Sequence, residues 1–266
     1  MRSIGALLAF ILLAGIPVRA QRLNEYLNTS HAAAQVKEEA HHEVAQLAAS
    51  FSSDSEPDLP LLRKVFRKVH NTVLKQYEPY ADFSSLFTDG KYDCLTATTL
   101  FSYLLSDLGF DFKLVETNYH IFILVQSRHG EVLLETTDRI GGIITDPGEI
   151  AQRIGKYRLN ELRVGVSENN YQYQCKLYRE VGVDGLTGLL YFNQAVKSYN
   201  QGDWLACAKY LEQAHARYAT DRSAELGDIL VQTLLERKEI ATELRNACLV
   251  HLKAIILNRS GAVAAN

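Results

Sequence analysis

The chain has 266 residues, 47% of them hydrophobic and 22% charged, with a formal net charge of −3. That length and apolar content suffice to bury a substantial core and exclude a fibrous or disordered chain. The mildly acidic balance, with no basic stripe, argues against nucleic-acid binding through phosphate neutralisation.

The first twenty residues carry Arg2, an apolar run from Ile4 to Ile16, and Val18-Arg19-Ala20. A charged start, an apolar centre and a small-residue end form the signal-peptide pattern, with cleavage expected after Ala20. The run is shorter than the ~20 residues of a bilayer span, which favours a cleaved leader over a retained anchor. The mature chain is therefore expected to be exported, periplasmic or secreted, with no membrane span. Loss of Arg2 and Arg19 takes its net charge from −3 to −5. Export permits disulfides, and the four cysteines, Cys94, Cys175, Cys207 and Cys248, allow three complete pairings. Cys207 and Cys248 lie in helical-looking sequence and are expected to be buried and reduced.

Residues 31–50 predict an alanine-rich helix, with Val36, Val44 and Leu47 along one side. His41-His42-Glu43 lacks the second histidine of a zinc-protease motif, because position 46 is Gln, so no metal site is expected. Phe51 to Pro57 reads as a polar linker. Asp58-Leu59-Pro60 starts a better helix, with Leu62, Val65, Phe66, Val69, Val73 and Leu74 on its apolar face and Arg63, Lys64, Arg67 and Lys68 opposite. Tyr77 to Tyr92 is expected as a loop with a turn at Thr88-Asp89-Gly90-Lys91.

The next stretch, Asp93 to Gly109, is a helix with a cysteine in its first turn. Asp93 can cap it, Leu95, Leu100, Phe101, Leu104, Leu105 and Leu108 form its apolar face, and Gly109 can end it. Cys94 then sits at the positive end of the helix dipole, where a thiolate is favoured. The plainer reading is a small core residue. Strands follow at Phe110–Thr117, His120–Val125 and Glu131–Thr137, the last two joined by the turn Ser127-Arg128-His129-Gly130. Pairing parity decides which acid shares a face with His120. An even-length turn offers Glu135; an odd one offers Thr136 and Asp138. The even turn favours Glu135, giving a thiol nucleophile, an imidazole base and an orienting carboxylate in Cys94, His120 and Glu135.

The order Gly90-Lys91-Tyr92-Asp93-Cys94, apolar helix, Leu108-Gly109-Phe110, His120 on a strand, then Glu135-Thr136-Thr137 resembles the bacterial transglutaminase-like superfamily. The resemblance implies a papain-like fold over residues 60–145. It matches Cys94 to the nucleophile, His120 to the base and Glu135 to the orienting acid. Gly141-Gly142 is similar to a subgroup that carries tetratricopeptide repeats after this domain. The commonest members have Asp-Pro-Thr where this chain has Glu135-Thr136-Thr137, and tryptophan where it has Ile121-Phe122. The Cys94 backbone N–H is a natural oxyanion donor.

Beyond Ile143 a short helix is expected from Asp146-Pro147-Gly148 through Arg153, and Tyr171 to Leu177 alternates like a strand. Gly182 to Gly188 marks a boundary. From Leu190 to Ala214 the sequence resembles one tetratricopeptide unit, with Ala195, Gly202, Cys207 and Ala214 at helix contacts and Tyr191, Tyr199, Trp204 and Tyr210 between them. Ser223–Glu236 and Glu239–Leu257 continue as a second helical pair. So short an array is expected to pack on the first domain. Asn28-Thr29-Ser30 and Asn258-Arg259-Ser260 are glycosylation sequons.

The expected organisation is thus α+β: signal peptide 1–20, N-terminal helix and linker 21–57, papain/transglutaminase-like domain 58–182, all-α repeat-like region 183–257 and tail 258–266. The function expected is amide or peptide hydrolysis, or acyl transfer, through a Cys94 thioester, without a cofactor. The substrate would be a peptide or protein. The alternative is a catalytically inactive scaffold whose helical tail binds a protein or peptide partner.

Overall fold

The computed structural model describes residues 19–51, 56–159 and 177–263, with side chains as far as 257. Arg19 and Ala20 apart, the expected leader lies outside the described residues, as do Cys175 and nearly all of the strand expected at 171–177. Residues 19–28 are helical (α1) and lead into α2 (Ala34–Phe51). Leu23, Tyr26 and Leu27 of α1 join Val44, Leu47 and Phe51 of α2 in the same core as the cysteine helix. Phe51, expected in a linker, closes α2 and is buried, because an aromatic ring gains more from that core than from solvent. His41 and His42 are engaged by Asn24 and Gln46.

Helix α3 (Leu59–Thr72) starts where expected: the Asp58 side chain accepts from the Leu59 N–H at 2.7 Å, and Pro60 fits the first turn. Its expected apolar face is buried, and His70 is buried with it. The expected loop before Cys94 contains β1 (Gln76–Tyr77), α4 (Ser85–Thr88) and β2 (Lys91–Tyr92), with β1 and β2 paired in parallel. These two-residue strands are too short for any periodicity to announce them.

Helix α5 (Cys94–Asp107) is capped by Asp93 through a capping box with Thr96 and is followed by Gly109 at φ +75°. It packs on a sheet of β3 (Phe112–Thr117), β4 (Ile121–Ser127), β5 (Gly130–Leu134), β6 (Ile143–Ile144) and, after α6 (Pro147–Arg158), β7 (Tyr178–Val181). The strand order is β6-β5-β4-β3-β7, antiparallel throughout. Alternate residues of β4 serve opposite faces: Ile121, Ile123 and Val125 enter the core beneath α5, while Phe122 and Leu124 meet Leu133, Ile144, Ile150 and Tyr157 beneath α6. Both faces are covered, so β4 is apolar at consecutive positions instead of alternating.

Helix α6 runs a full turn beyond the expected end at Arg153. The extension places Tyr157 on the sheet in register with Ile150 and Ile154.

The expected boundary at 182–188 holds a turn and a helix start. Helix α7 (Gly185–Gln201) begins inside it, and Leu186, Leu189 and Leu190 complete the first core. Burial of those three leucines outweighs the weak helix propensity of the glycines. Helices α8 (Trp204–Arg217), α9 (Asp221–Glu236) and α10 (Thr242–Val263) follow. Their core is built on Ala195, Cys207, Ala208, Leu211, Leu230 and Cys248, and both cysteines are free and buried. The tail expected from Asn258 is instead helical to Val263, since no proline interrupts it. No helix among the described residues is long and apolar enough to cross a membrane.

Candidate functional site

The three residues singled out in the sequence are brought to one place by three different elements. Cys94 opens α5. The Asp93 Oδ1 atom immediately before it accepts from the Thr96 N–H at 2.8 Å, while the Thr96 hydroxyl accepts from the Asp93 N–H at 2.9 Å. This reciprocal cap fixes the backbone on which Cys94 stands. Asp93 is buried, which pushes its carboxyl up; the bonds from Thr96 and Asn193 work against that.

His120 precedes β4. The Thr117 hydroxyl accepts from its N–H and donates to its carbonyl, both at 3.1 Å, and the Thr117 N–H donates to the same carbonyl at 2.8 Å. The following hairpin has a two-residue turn, with Ser127 opposite Gly130 and Ile123 opposite Leu134. That register carries His120, Phe122 and Glu135 to one face. Asp138 turns elsewhere, accepting from the Ile140 and Gly141 N–H groups.

Glu135 Oε2 lies 2.6 Å from His120 Nε2, and both side chains are buried. The same oxygen accepts from the Tyr157 hydroxyl at 2.5 Å. Oε1 accepts from the Thr137 hydroxyl at 2.8 Å and its N–H at 3.3 Å. Burial alone would raise this carboxyl. The imidazolium charge and the three donors outweigh it and hold Glu135 near 2, well below the usual carboxylate range. For His120, burial opposes the charged ring, but Glu135 and the Cys94 side chain raise its proton affinity to about 10. Nε2 is committed to Glu135, while Nδ1 is buried with no hydrogen-bond partner, and Cys94 lies near enough to raise the ring's proton affinity.

A second hydroxyl network ties these elements together. Thr98, one turn along from Cys94, donates to the Ile121 carbonyl at 3.3 Å and meets the Thr136 hydroxyl at 2.9 Å. One threonine on the cysteine helix thus touches the residue after His120 and the residue after Glu135. The Glu135 N–H donates to the Gly142 carbonyl at 2.7 Å. A Cβ at Gly142 would collide with the Glu135 and Asp138 carbonyls and the Phe66 ring.

Cys94 is half-buried and, with His120, lines a cleft of about 110 Å³. One wall holds Tyr77 of β1 and Tyr80 from the loop after it, and burial pushes both phenols up. Tyr80 has φ +58°, a left-handed backbone that a non-glycine residue adopts at a cost of order 1 kcal/mol or more. The facing wall comes from the helical region: Leu189, Phe192, Asn193 and Val196 of α7 and Arg222 of α9. Asn193 Nδ2 donates to Asp93 Oδ2 at 2.6 Å, so the residue before the cysteine is held from across the cleft.

Tyr157, Thr98 and Asn193 were not singled out in the sequence, nor was the bond from the Thr137 hydroxyl to Glu135. Thr137 lay inside the Glu135-Thr136-Thr137 stretch and could have been found as a hydroxyl two residues from an acid. Tyr157 was hidden by the shortened helix, and Asn193 is a hundred residues from its partner. Chemically, the arrangement offers a thiol beside an imidazole, a carboxylate on that ring's far nitrogen and a cleft that admits a substrate. No protein-family description, curated protein or solved structure matches the chain.

Proposed function

We propose that the chain is an exported, periplasmic or secreted, transglutaminase-like cysteine protein that hydrolyses an amide or peptide bond through a Cys94 thioester. The observation that carries this reading is the buried His120–Glu135 pair at 2.6 Å, with Cys94 beside the ring at the cleft. The helix-on-antiparallel-sheet arrangement of α5 and β3–β5 is compatible with a papain-like domain. The four helices α7–α10 suit tetratricopeptide-like packing, with small Ala195, Cys207 and Ala214 buried where helices meet.

In the proposed reaction the Cys94 proton already rests on His120, as a thiolate–imidazolium pair, and Sγ attacks the substrate carbonyl carbon. The Cys94 N–H at the helix start is the oxyanion donor. Collapse breaks the C–N bond, the imidazolium gives its proton to the leaving amine, and a thioester remains. Water then attacks the thioester, its proton passes to His120, and the C–S bond breaks to release the acid and restore the Cys94–His120 ion pair. Glu135 holds the ring's orientation and stabilises its charged form. Hydrolysis is favoured over crosslinking because water far outnumbers any amine outside the cell.

The test is turnover of a chromogenic peptide amide with mass detection of the acylated chain. Cys94→Ala and His120→Ala are expected to abolish turnover, and Glu135→Gln to lower kcat about 10²-fold or more. Turnover that persists in Cys94→Ala refutes the reading.

A second reading is favoured by the outer face of α10, where Val250 and Leu257 are 70% and 56% exposed. In it the fold is an inactive scaffold and the helical tail recruits a protein or peptide partner. An unreactive Cys94 together with partner capture that Val250→Asp abolishes would support it.

A further inference from the structure

Leu189, Phe192, Asn193 and Val196 recur at i, i+3, i+4 and i+7 and so lie on one face of α7. That face is the cleft wall supplied by the helical region. Leu189 belongs to the core of the α+β region, whereas Phe192 and Val196 belong to the core of α7–α10. The cleft therefore lies along the seam of two cores, a common place for ligand sites.

The polar groups on this wall are already committed. Asn193 is spent on Asp93. Arg222 bonds Glu116 and, at 3.1 Å, the Asn118 carbonyl, and its guanidinium lies 4.8 Å from the Phe192 ring centre. Glu116 also accepts from Arg179 at 2.9 Å. The α7 side beside Cys94 is hydrocarbon, Leu189, Phe192 and Val196, with Leu95 and Ile121 next to it, while the phenols of Tyr77 and Tyr80 supply polar groups on the other wall. A charged side chain placed against the α7 stripe would lose its hydration without gaining a charged partner. The cleft's volume, about 110 Å³, is smaller than the ~150 Å³ cavity that holds a benzene ring, and so matches one aliphatic side chain. One donor is left over. Arg222 Nε is buried and has no hydrogen-bond partner, a cost that a peptide carbonyl in the cleft would relieve.

We propose that the α7 stripe Leu189–Phe192–Val196 is the specificity pocket of the cleft, receiving the aliphatic side chain of the residue whose carbonyl Cys94 attacks. This rests on the acyl-transfer reading above. The substrate class is thus a peptide amide with a Leu-, Ile- or Val-type residue on the acyl side, and Arg222 Nε–H donates to that peptide's backbone. The helical region then acts as a wall of the active site, selecting the substrate that the α+β region cleaves.

The test uses the full-length chain and four peptidyl acyloxymethyl ketones that differ only in the residue next to the warhead: Leu, Phe, Lys or Glu. Labelling rates at Cys94 are read by intact mass and peptide mapping, beside iodoacetamide. The Leu probe is expected to react about tenfold or more faster than the Lys and Glu probes. Phe192→Ala, which widens the pocket, is expected to raise the Phe-to-Leu rate ratio about fivefold, a gain that misfolding cannot produce. Equal or faster labelling by the Lys or Glu probe overturns the pocket assignment alone, as does a Phe-to-Leu ratio that Phe192→Ala leaves where it was. If iodoacetamide labels the parent chain no more than Cys94→Ser, the acyl-transfer reading fails, and the pocket assignment fails with it.

Discussion

His120 and Glu135 are each moved by the other, in opposite senses, and the signs give a pH signature. His120 keeps its proton to about pH 10 in the folded chain against 6.5 for a free imidazole. Its pairing therefore stabilises the fold fully below about 6.5 and is lost as pH rises through 10. Glu135 is driven from 4.5 to about 2, so its contribution is present above 4.5 and lost as pH falls through 2. Both shifts describe one ion pair and are counted once. Glu135→Gln is expected to cost about 3 kcal/mol near neutral pH and to flatten the alkaline limb of a Tm–pH curve. His70 behaves in the other direction. Buried between Phe66 and Phe101, with no well-formed hydrogen bond to either ring nitrogen, it is held neutral and its pKa falls to about 4. Burial is the main cause and Arg139 adds to it; the Asp138 charge and the Thr136 backbone oppose them. Stability linked to His70 is present above about 6.5 and lost as pH falls through 4. His70→Leu removes two unpaired polar atoms from an apolar site. It is expected to raise stability by about 1 kcal/mol at pH 7 and by more at pH 5, measured by urea unfolding.

At the level of elements, the site is a helix start and a hairpin clasped together by hydroxyls. Thr98→Val keeps the shape of the side chain but leaves the Thr136 hydroxyl and the Ile121 carbonyl without their partner; a loss of about 1–3 kcal/mol is expected. Gly142→Ala pushes a methyl group into two carbonyls and the Phe66 ring. It is expected to cost about 1–3 kcal/mol and to slow Cys94 labelling by an acyl probe, because the displaced strand end carries Glu135. These elements were legible in sequence to very different degrees. The capped cysteine helix announced itself through Asp93, a helical apolar face and Gly109. The hairpin did so through a β-branched and aromatic-rich run before a four-residue turn signal, and its parity pointed to Glu135 ahead of Asp138. The α6 extension was not legible, because Lys156 and Arg158 look like a solvated end and nothing local says that Tyr157 points inward. The shared hydroxyls of Thr98 and Thr136 are likewise a product of packing, since either threonine alone suits a strand or a helix face.

At the scale of the whole molecule, the helical region is joined to the α+β core through the first half of α7. Leu186, Leu189 and Leu190 fill that core, Asn193 bonds the cap of the cysteine helix, and Arg222 reaches Glu116. The glycines of 182–188 marked a boundary in the sequence, and the shortness of the array suggested that it packs on the first domain; the leucines that do so carry no local signal of their partner. The full chain is expected to unfold in a single cooperative transition by far-UV circular dichroism, and truncation after Gly182 is expected to leave the remaining domain insoluble or molten. Two well-separated transitions would show that the regions fold independently. The central claim is that Cys94 is a nucleophile served by His120. It is tested most directly by the rate of Cys94 acylation by a peptide ester, followed by intact mass, in the parent chain and in His120→Ala. Stoichiometric, hydroxylamine-sensitive acylation at Cys94 is expected, slowed at least about 10²-fold without His120. Acylation at the same rate in both chains, or none in the folded parent, would contradict it.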